Sequence, residues 1–329
     1  MKKKQIKEII FFGIILLLVV LMLYSGFRIL EATFLRNDDD TPGEGPSKTI
    51  YRNGIAYFPR QDITVILVIG IDQRGAAVGS DAYINKGAAD MLMLLVFDET
   101  NKACNVLQLN RDTMANIPVL GIGGKEAGSI YGQLALSHTY GSGLEDSCEN
   151  TVKAVSNFLY GIRIDHYVSL RMDAIPILND AVGGVTVNVE HDFSQVDPTI
   201  GMGTVTLRGE QALNFVRTRK NVGDQLNLTR VQRQKAYIDS FVEAFHQKRE
   251  SDSGFILRAY EDVQQYIVTD CSANGIRSMV ERYGDYPIEK ILTPEGENVM
   301  GEEYFEFYAD EEKLDALILE LFYAPKESD

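Results

Sequence analysis

No tryptophan occurs in the 329 residues, and cysteine and histidine are scarce, at three and four. Cys104, Cys148 and Cys271 are too few to staple a disulfide scaffold, and none shows the CxxC or Cys/His spacing of a zinc site. One pair could still bond, leaving the third alone. Basic residues are short as well: 32 Lys plus Arg stand against 47 Asp plus Glu, a formal charge of −15. Neutralising the phosphates of a nucleic acid needs a basic surface, so a general nucleic-acid binder is excluded. Two nucleotide and hydrolase signatures are missing too. Around Gly121-Ile122-Gly123-Gly124-Lys125, a GxxxxGK[ST] loop would need Gly at 119 and Ser or Thr at 126, where Val119 and Glu126 stand. His138 follows Ser137, but no GxSxG elbow accompanies them. What remains is globular in proportion, with 45% hydrophobic and 24% charged residues.

Apolar runs long enough to span a bilayer are limited to one. Ile9 to Phe27 holds 19 residues without a charge, about 28 Å of helix at roughly 1.5 Å per residue. Lys2, Lys3, Lys4 and Lys7 precede it, opposed only by Glu8, which predicts a cytoplasmic tail at 1–8. The run is longer than the apolar part of a cleaved signal, and Tyr24-Ser25-Gly26-Phe27 is a poor cleavage site. The expectation is an uncleaved signal anchor at 9–27 in a single-pass type II protein of the cell membrane, with the C-terminal domain extracellular. A polar Gly/Pro-containing stalk at 28–59 would then lead to one folded domain at 60–325.

Within that domain Thr64–Ile71 is continuously apolar and β-branched, the signature of a strand covered on both faces. Met91–Phe97 and Cys104–Leu109 flank the polar turn DETNKA and read as a hairpin. A Gly-rich stretch at 116–143 has no clear period. A helix at 145–160, a strand at 164–170, a helix at 173–182 stopped by Gly183-Gly184, and a strand at 185–189 follow. Helices are expected at 209–219, 229–249, 255–267, 272–283 and 311–322, with a strand at 304–308. The interleaving is α/β, a central sheet with helices on both faces.

Charged residues fall at the strand ends of this frame. Asp72 follows the first strand, Asp90 precedes the second, and Arg111-Asp112 follow the third. If the second and third strands form a hairpin and the first runs parallel to the third, all four reach one rim. Rims beyond strand ends are where open sheets bind ligands. Two carboxylates there suit a hard cation, and Mg²⁺ typically takes one or two carboxylates plus phosphate oxygens.

A second cluster, between 208 and 235, carries seven basic groups against two acidic ones. Arg217 and Arg219 end one helix. Thr229-x-x-Gln232 has capping-box spacing, which predicts the next helix start near Arg230. Arg230, Arg233 and Gln234 would then share a face at an N-terminus whose dipole favours anions. Arginine grips phosphate bidentately and stays charged when desolvated.

In this order VILVIGIDQR, AADMLMLLVF, LNRDTM, DAVGGVTV, GEQALNFVRTR and TRVQRQK resemble the LytR-CpsA-Psr family of bacterial envelope phosphotransferases. The resemblance implies transfer of a glycopolymer, such as teichoic acid, from an undecaprenyl-pyrophosphate carrier to peptidoglycan, outside the cell and with Mg²⁺. It implies that Asp72 and Asp90 hold the cation and that Arg111, Arg217 and Arg219 grip the pyrophosphate. Arg230 and Gln234, with Arg233 beside them, would complete the pocket, and Asp112 would orient Arg111. The chain departs from the family pattern with Ala88-Ala89 for Arg-Ser before the second Asp, Gln133 for Lys, and Asn227 for Asp. Three rival readings stay open: a polyprenyl-phosphate or wall-polymer binding protein that does no chemistry, an envelope regulator, and a pyrophosphate hydrolase.

Overall fold

The computed structural model describes residues 49–325 apart from 53, 219–221, 223–226, 253 and 303, and backbone alone at 122, 227–232, 234, 235, 238, 256, 274, 277 and 280. The anchor expected at 9–27 lies outside the described residues. Among those described, no helix is long and apolar enough to cross a membrane.

The chain enters through a short hairpin, β1 (Ile50–Arg52) and β2 (Ile55–Pro59), then lays down β3 (Ile63–Ile71), β4 (Ala89–Asp98) and β5 (Ala103–Leu109). A second hairpin, β6 (Met114–Leu120) and β7 (Glu126–Gln133), leads to helix α1 (Glu145–Phe158), β8 (His166–Arg171), α2 (Ala174–Ala181), and the pair β9 (Val185–Val189) and β10 (Gly203–Leu207). Helices α3 (Glu210–Arg217), α4 (Asn227–Ser251) and α5 (Phe255–Val263) precede β11 (Ile267–Thr269), and α6 (Ala273–Tyr283) precedes β12 (Ile288–Leu292). A last hairpin, β13 (Gly296–Met300) and β14 (Phe305–Ala309), runs into α7 (Glu311–Phe322) and β15 (Tyr323–Pro325).

Six strands form the central sheet in the order β11-β8-β3-β4-β5-β12. It is mixed: β3 is antiparallel to β4 and parallel to β8, and β4 is antiparallel to β5. The unbroken apolar run of β3 is explained by its place, since Leu67, Val68 and Ile69 are fully buried. Each such side chain contributes about 1.5–3 kcal/mol by leaving water. Alternate residues serve opposite faces. Ile66, Val68, Met93 and Leu95 pack with Leu178, Phe215, Tyr237 and Val263, so α2 to α5 cover one face. Val65, Leu67, Leu94 and Val96 pack with Cys148, Val152, Leu314 and Ile318, so α1 and α7 cover the other. All three cysteines are free.

Several boundaries differ from the sequence reading. Residues 50–59, assigned to the stalk, form β1 and β2, and β2 pairs with β15 near the C-terminus. They belong to the folded domain because the final strand supplies their hydrogen bonds. The helix expected through 267 ends at Val263, since Ile267 and Val268 pair with Leu170 and Ser169 of β8. Part of the Gly-rich stretch is the β6–β7 hairpin, and β10, unforeseen, pairs with β9 through cross-strand threonines. Helix α4 begins at Asn227, so Thr229 lies inside its first turn rather than at its cap.

Gly183 and Gly184 do stop α2, as predicted. Their N–H groups close on the carbonyls of Asp180 and Asn179, each at 2.9 Å. Gly184 has φ of +88°, and a Cβ there would sit 2.9 Å from the Leu207 carbonyl oxygen and from Thr206 Cγ2. Gly184→Ala is therefore expected to destabilise the domain by about 1–3 kcal/mol, read as a lower urea midpoint at unchanged slope.

Candidate active site

The site is built where β3, β4 and β5 end on one edge. Pairing between β3 and β4 runs in register from Ile63 opposite Asp98 to Gly70 opposite Met91, then shifts so that Ile71 faces Ala89. Asp90 is the extra residue of this bulge. Bulges re-aim a side chain and end a ladder, and they gather beside active sites. Asp72 follows Ile71 directly, so the two carboxylates come from adjacent strands. β5 pairs with β4 as far as Leu109 opposite Leu92, and two further residues along that register bring Arg111 to Asp90.

Arg111 forms an ion pair with Asp90 through Nη1, and its Nε lies 3.5 Å from Asp112 Oδ1. Arg217, the last residue of α3, donates from Nη2 to Asp72 Oδ1 at 3.2 Å. Five residues from four segments thus meet: Asp72, Asp90, Arg111, Asp112 and Arg217. The carboxyl of Asp90 is pushed above the ordinary carboxylate range, first by burial and then by Asp72 and Asp112, against the pull of Arg111. Asp112 is raised too, again by burial, with Arg111 opposing. The Arg217–Asp72 pair is open to water, with side chains 48% and 43% exposed. Such a pair is worth about 0–1 kcal/mol, so an incoming anion can displace the carboxylate at little cost.

The other expected residues have different placements. Arg219 lies outside the described residues. Arg230 and Gln234 sit on the backbone of α4, and their side chains lie outside what is described. Arg233 is buried; its guanidinium stacks 5.1 Å over the Phe193 ring and donates to the Thr218 carbonyl. That placement is a positioning one, fixing the segment just after Arg217.

Sequence reasoning missed two groups, Arg171 and Arg74, and named a third, Gln133, only as a departure from the family pattern. Arg171 ends β8, paired beside Ile71, so it reaches the same edge; burial holds its basicity below the usual guanidinium range. Arg74 ties the loop after β3 to Asp173, at 2.6 Å, and to Glu210, joining the starts of α2 and α3. Gln133 Nε2 donates to Asp112 Oδ1 at 3.1 Å and to the Phe305 carbonyl at 2.7 Å. Their signal was position at element ends, which only the strand order reveals.

The loop before Asp90 is pinned from below. Asn85 Nδ2 donates to the His138 carbonyl at 2.8 Å, and His138 Nδ1 meets the Gly87 carbonyl at 2.7 Å. A carbonyl only accepts, so Nδ1 carries the proton and Nε2 is left to accept from the Cys148 thiol at 3.8 Å. Ser137 is buried and donates to the Leu134 carbonyl, so Ser137 and His138 form no nucleophilic pair.

A mixed sheet covered by helices on both faces, with carboxylates and guanidiniums gathered at one strand edge, defines an α/β domain with a charged rim. A family model described as the LytR_cpsA_psr family matches residues 36–321, and the chain belongs to that family. Among curated relatives, a polyisoprenyl-teichoic acid–peptidoglycan teichoic acid transferase TagU of Enterococcus faecalis is 30% identical over 244 residues, 74% of this chain and 72% of the relative. The protein of the same name from Bacillus subtilis is 28% identical over 177 residues, 54% of this chain; the match spans 51% of its own length. Among solved structures, TagT bound to LI-WTA aligns with a TM-score of 0.54 at 24% identity, covering 79% of this chain and 90% of that one. Protein gbs0355 of Streptococcus agalactiae aligns with a TM-score of 0.59 at 19% identity, covering 79% and 86%. These structures share the fold.

Burial lowers the His138 pKa to about 4, partly offset by the Gly87 carbonyl. Unfolded histidine titrates near about 6.5, so between those values the unfolded chain binds more protons and stability falls as pH falls. His138→Gln is expected to flatten the dependence of the urea midpoint on pH between about 6.5 and 4, relative to wild type. An unchanged slope would remove His138 from that role.

Proposed function

We propose that the protein is a phosphotransferase that moves an anionic glycopolymer from an undecaprenyl-pyrophosphate carrier to peptidoglycan, outside the cell and beside the membrane that the 9–27 helix would span. The observation that carries this reading is the convergence of Asp72, Asp90, Arg111, Asp112 and Arg217 at one sheet edge. Membership of the family, and the transferase names of its curated members, support it.

Asp72 and Asp90 would hold Mg²⁺. The donor set fits: two carboxylates on adjacent strands offer hard oxygen ligands, and the burial-raised Asp90, crowded by Asp72 and Asp112, is a place where added positive charge is favourable. When bound, the cation supplies charge neutralisation at the phosphoryl oxygens. The chain's own residues do the rest. Arg217, with Arg219 following it, exchanges its water-exposed carboxylate contact for the pyrophosphate. Arg111, oriented by Asp112, takes the phosphoryl group nearer the polymer, and by the family resemblance Arg230 and Gln234 would complete the pocket.

A sugar hydroxyl of the acceptor attacks the polymer-side phosphorus. A P–O ester bond forms, the bond to the bridging oxygen breaks, and polyprenyl phosphate leaves with that electron pair. The hydroxyl proton passes to a rim carboxylate. Phosphoryl transfer needs positioning and charge neutralisation more than covalent help, which is what this rim provides.

The test is mass spectrometry of the organic extract of the full-length protein purified from bacterial membranes, beside an Arg217→Ala, Arg219→Ala double variant. Wild type is expected to retain polyprenyl phosphate or pyrophosphate and the variant to lose it. Asp72→Asn should lower polymer transfer to peptidoglycan by about 10²-fold or more. Failure of both proteins to bind added polyprenyl pyrophosphate would sink the reading, whereas release of free phosphate without polymer-linked peptidoglycan would make the protein a hydrolase.

A further inference from the structure

The acceptor side of the rim is formed by two hairpins that pack on the Arg111–Asp112 segment. The Phe307 N–H donates to the Asp112 carbonyl at 2.8 Å, Thr113 bridges to Phe307, and Gln133 joins the Asp112 carboxylate to the Phe305 carbonyl. Tyr131 is two residues before Gln133 on β7 and therefore shares its face. Both hairpins carry an exposed tyrosine: Tyr131 on β7 is 59% exposed, and Tyr308, on the face of β14 opposite buried Phe307, is 40% exposed. The Tyr308 hydroxyl donates to Glu306 at 2.7 Å, which fixes its ring. Its ionisation is disfavoured first by the Glu306 hydrogen bond.

Charge selects the occupant. Between 291 and 312 the sequence carries eight carboxylates and no Lys or Arg. Lys313, just beyond it, pairs with Glu295 and Asp310, and the remaining carboxylates would repel the anionic polymer, which the guanidiniums across the rim attract. Uncharged sugar rings meet no such penalty. Their C–H faces suit the negative faces of tyrosine rings, which give large contact at small entropic cost. Exposed patches of this kind mark binding surfaces.

We propose that β7 and the β13–β14 hairpin form the acceptor platform, on which uncharged rings of a glycan strand stack on Tyr131 and Tyr308 while one hydroxyl reaches the rim at Asp112. The inference rests on the transfer reaction proposed above and names the chemistry of its second substrate. Gln133 acts here as a positioning residue, holding the platform to Asp112.

The probe is a soluble uncharged β-1,4-linked N-acetylglucosamine hexamer, titrated calorimetrically into the full-length protein in detergent. Polyprenyl pyrophosphate binding is measured on the same samples. The Tyr131→Ala, Tyr308→Ala variant is expected to bind the hexamer about tenfold more weakly or not at all, and the Tyr131→Phe, Tyr308→Phe variant to bind as wild type does. Carrier-lipid binding should be unchanged in both, which also shows that they fold. No hexamer binding by wild type, or equal binding by the alanine variant, overturns the platform while intact lipid binding leaves the transfer reaction standing. Hexamer binding without lipid binding in wild type overturns the transfer reaction and, with it, the acceptor role.

Discussion

The pairing of β3 with β4, and the bulge that ends it, is the constraint on which the site depends. Eight consecutive pairs hold the two strands in register before the shift at Gly70 and Ile71. Because both strands are buried on both faces, a slip by one residue would turn core residues such as Leu67 and Leu94 toward the wrong helices. The register is therefore fixed by the core, and the bulge converts that fixed register into a particular position for Asp90. Asp72 inherits its place from the same strand pair, and Arg111 from the next one. Packing energy of the sheet is what positions the charges.

Reciprocal pairing explains how such a site survives without its ligands. A bare pair of carboxylates beside Asp112 would repel, and a bare cluster of guanidiniums would repel as well. Each charge instead finds a partner of opposite sign: Asp90 with Arg111, Asp72 with Arg217, Asp173 and Glu210 with Arg74. The Arg217–Asp72 and Arg74–Glu210 pairs are open to water, which screens them so that each holds its partner weakly. Asp90 and Asp173 are more enclosed. The open pairs keep the side chains near their working positions without making them costly to release. A buried pair would behave differently, since breaking it strands a charge in low dielectric. Exposure thus leaves the Arg217–Asp72 pair open to exchange.

How much of this was legible in the sequence follows from which physical signal each part carries. The continuous apolar run of β3, the hairpin of β4 and β5, and the Gly183-Gly184 stop are local patterns, and the structure has all three. Asp72, Asp90, Arg111, Asp112 and Arg217 were legible because they stand at the ends of elements that were themselves clear. The bulge at Asp90 was not, since nothing in Ala88-Ala89-Asp90-Met91 distinguishes an extra residue from an ordinary one. Arg171 was hidden because its relevance depends on β8 lying beside β3, a long-range parallel pairing that spacing does not encode. Arg233 shows the opposite error. Its place in a basic run looked like a ligand-facing position, but Phe193, forty residues earlier, provides the ring it stacks on.

The same residue run also shows why net charge is a poor guide to a site. A chain of −15 would be expected to repel a pyrophosphate at long range. Fields from exposed charges fade within roughly 8–10 Å at physiological salt, so only the groups lining the rim act on a bound anion. Locally, Arg111 and Arg217 pair with the three carboxylates there, and the acidic excess lies elsewhere, much of it on the stretch from 291 to 312. Among the described residues, this guanidinium-bearing edge stands out from an overall acidic chain as a place suited to an anionic group. For the proposed reaction, selectivity for that edge would come from the contrast with its surroundings, and the acidic stretch would count as much as the arginines.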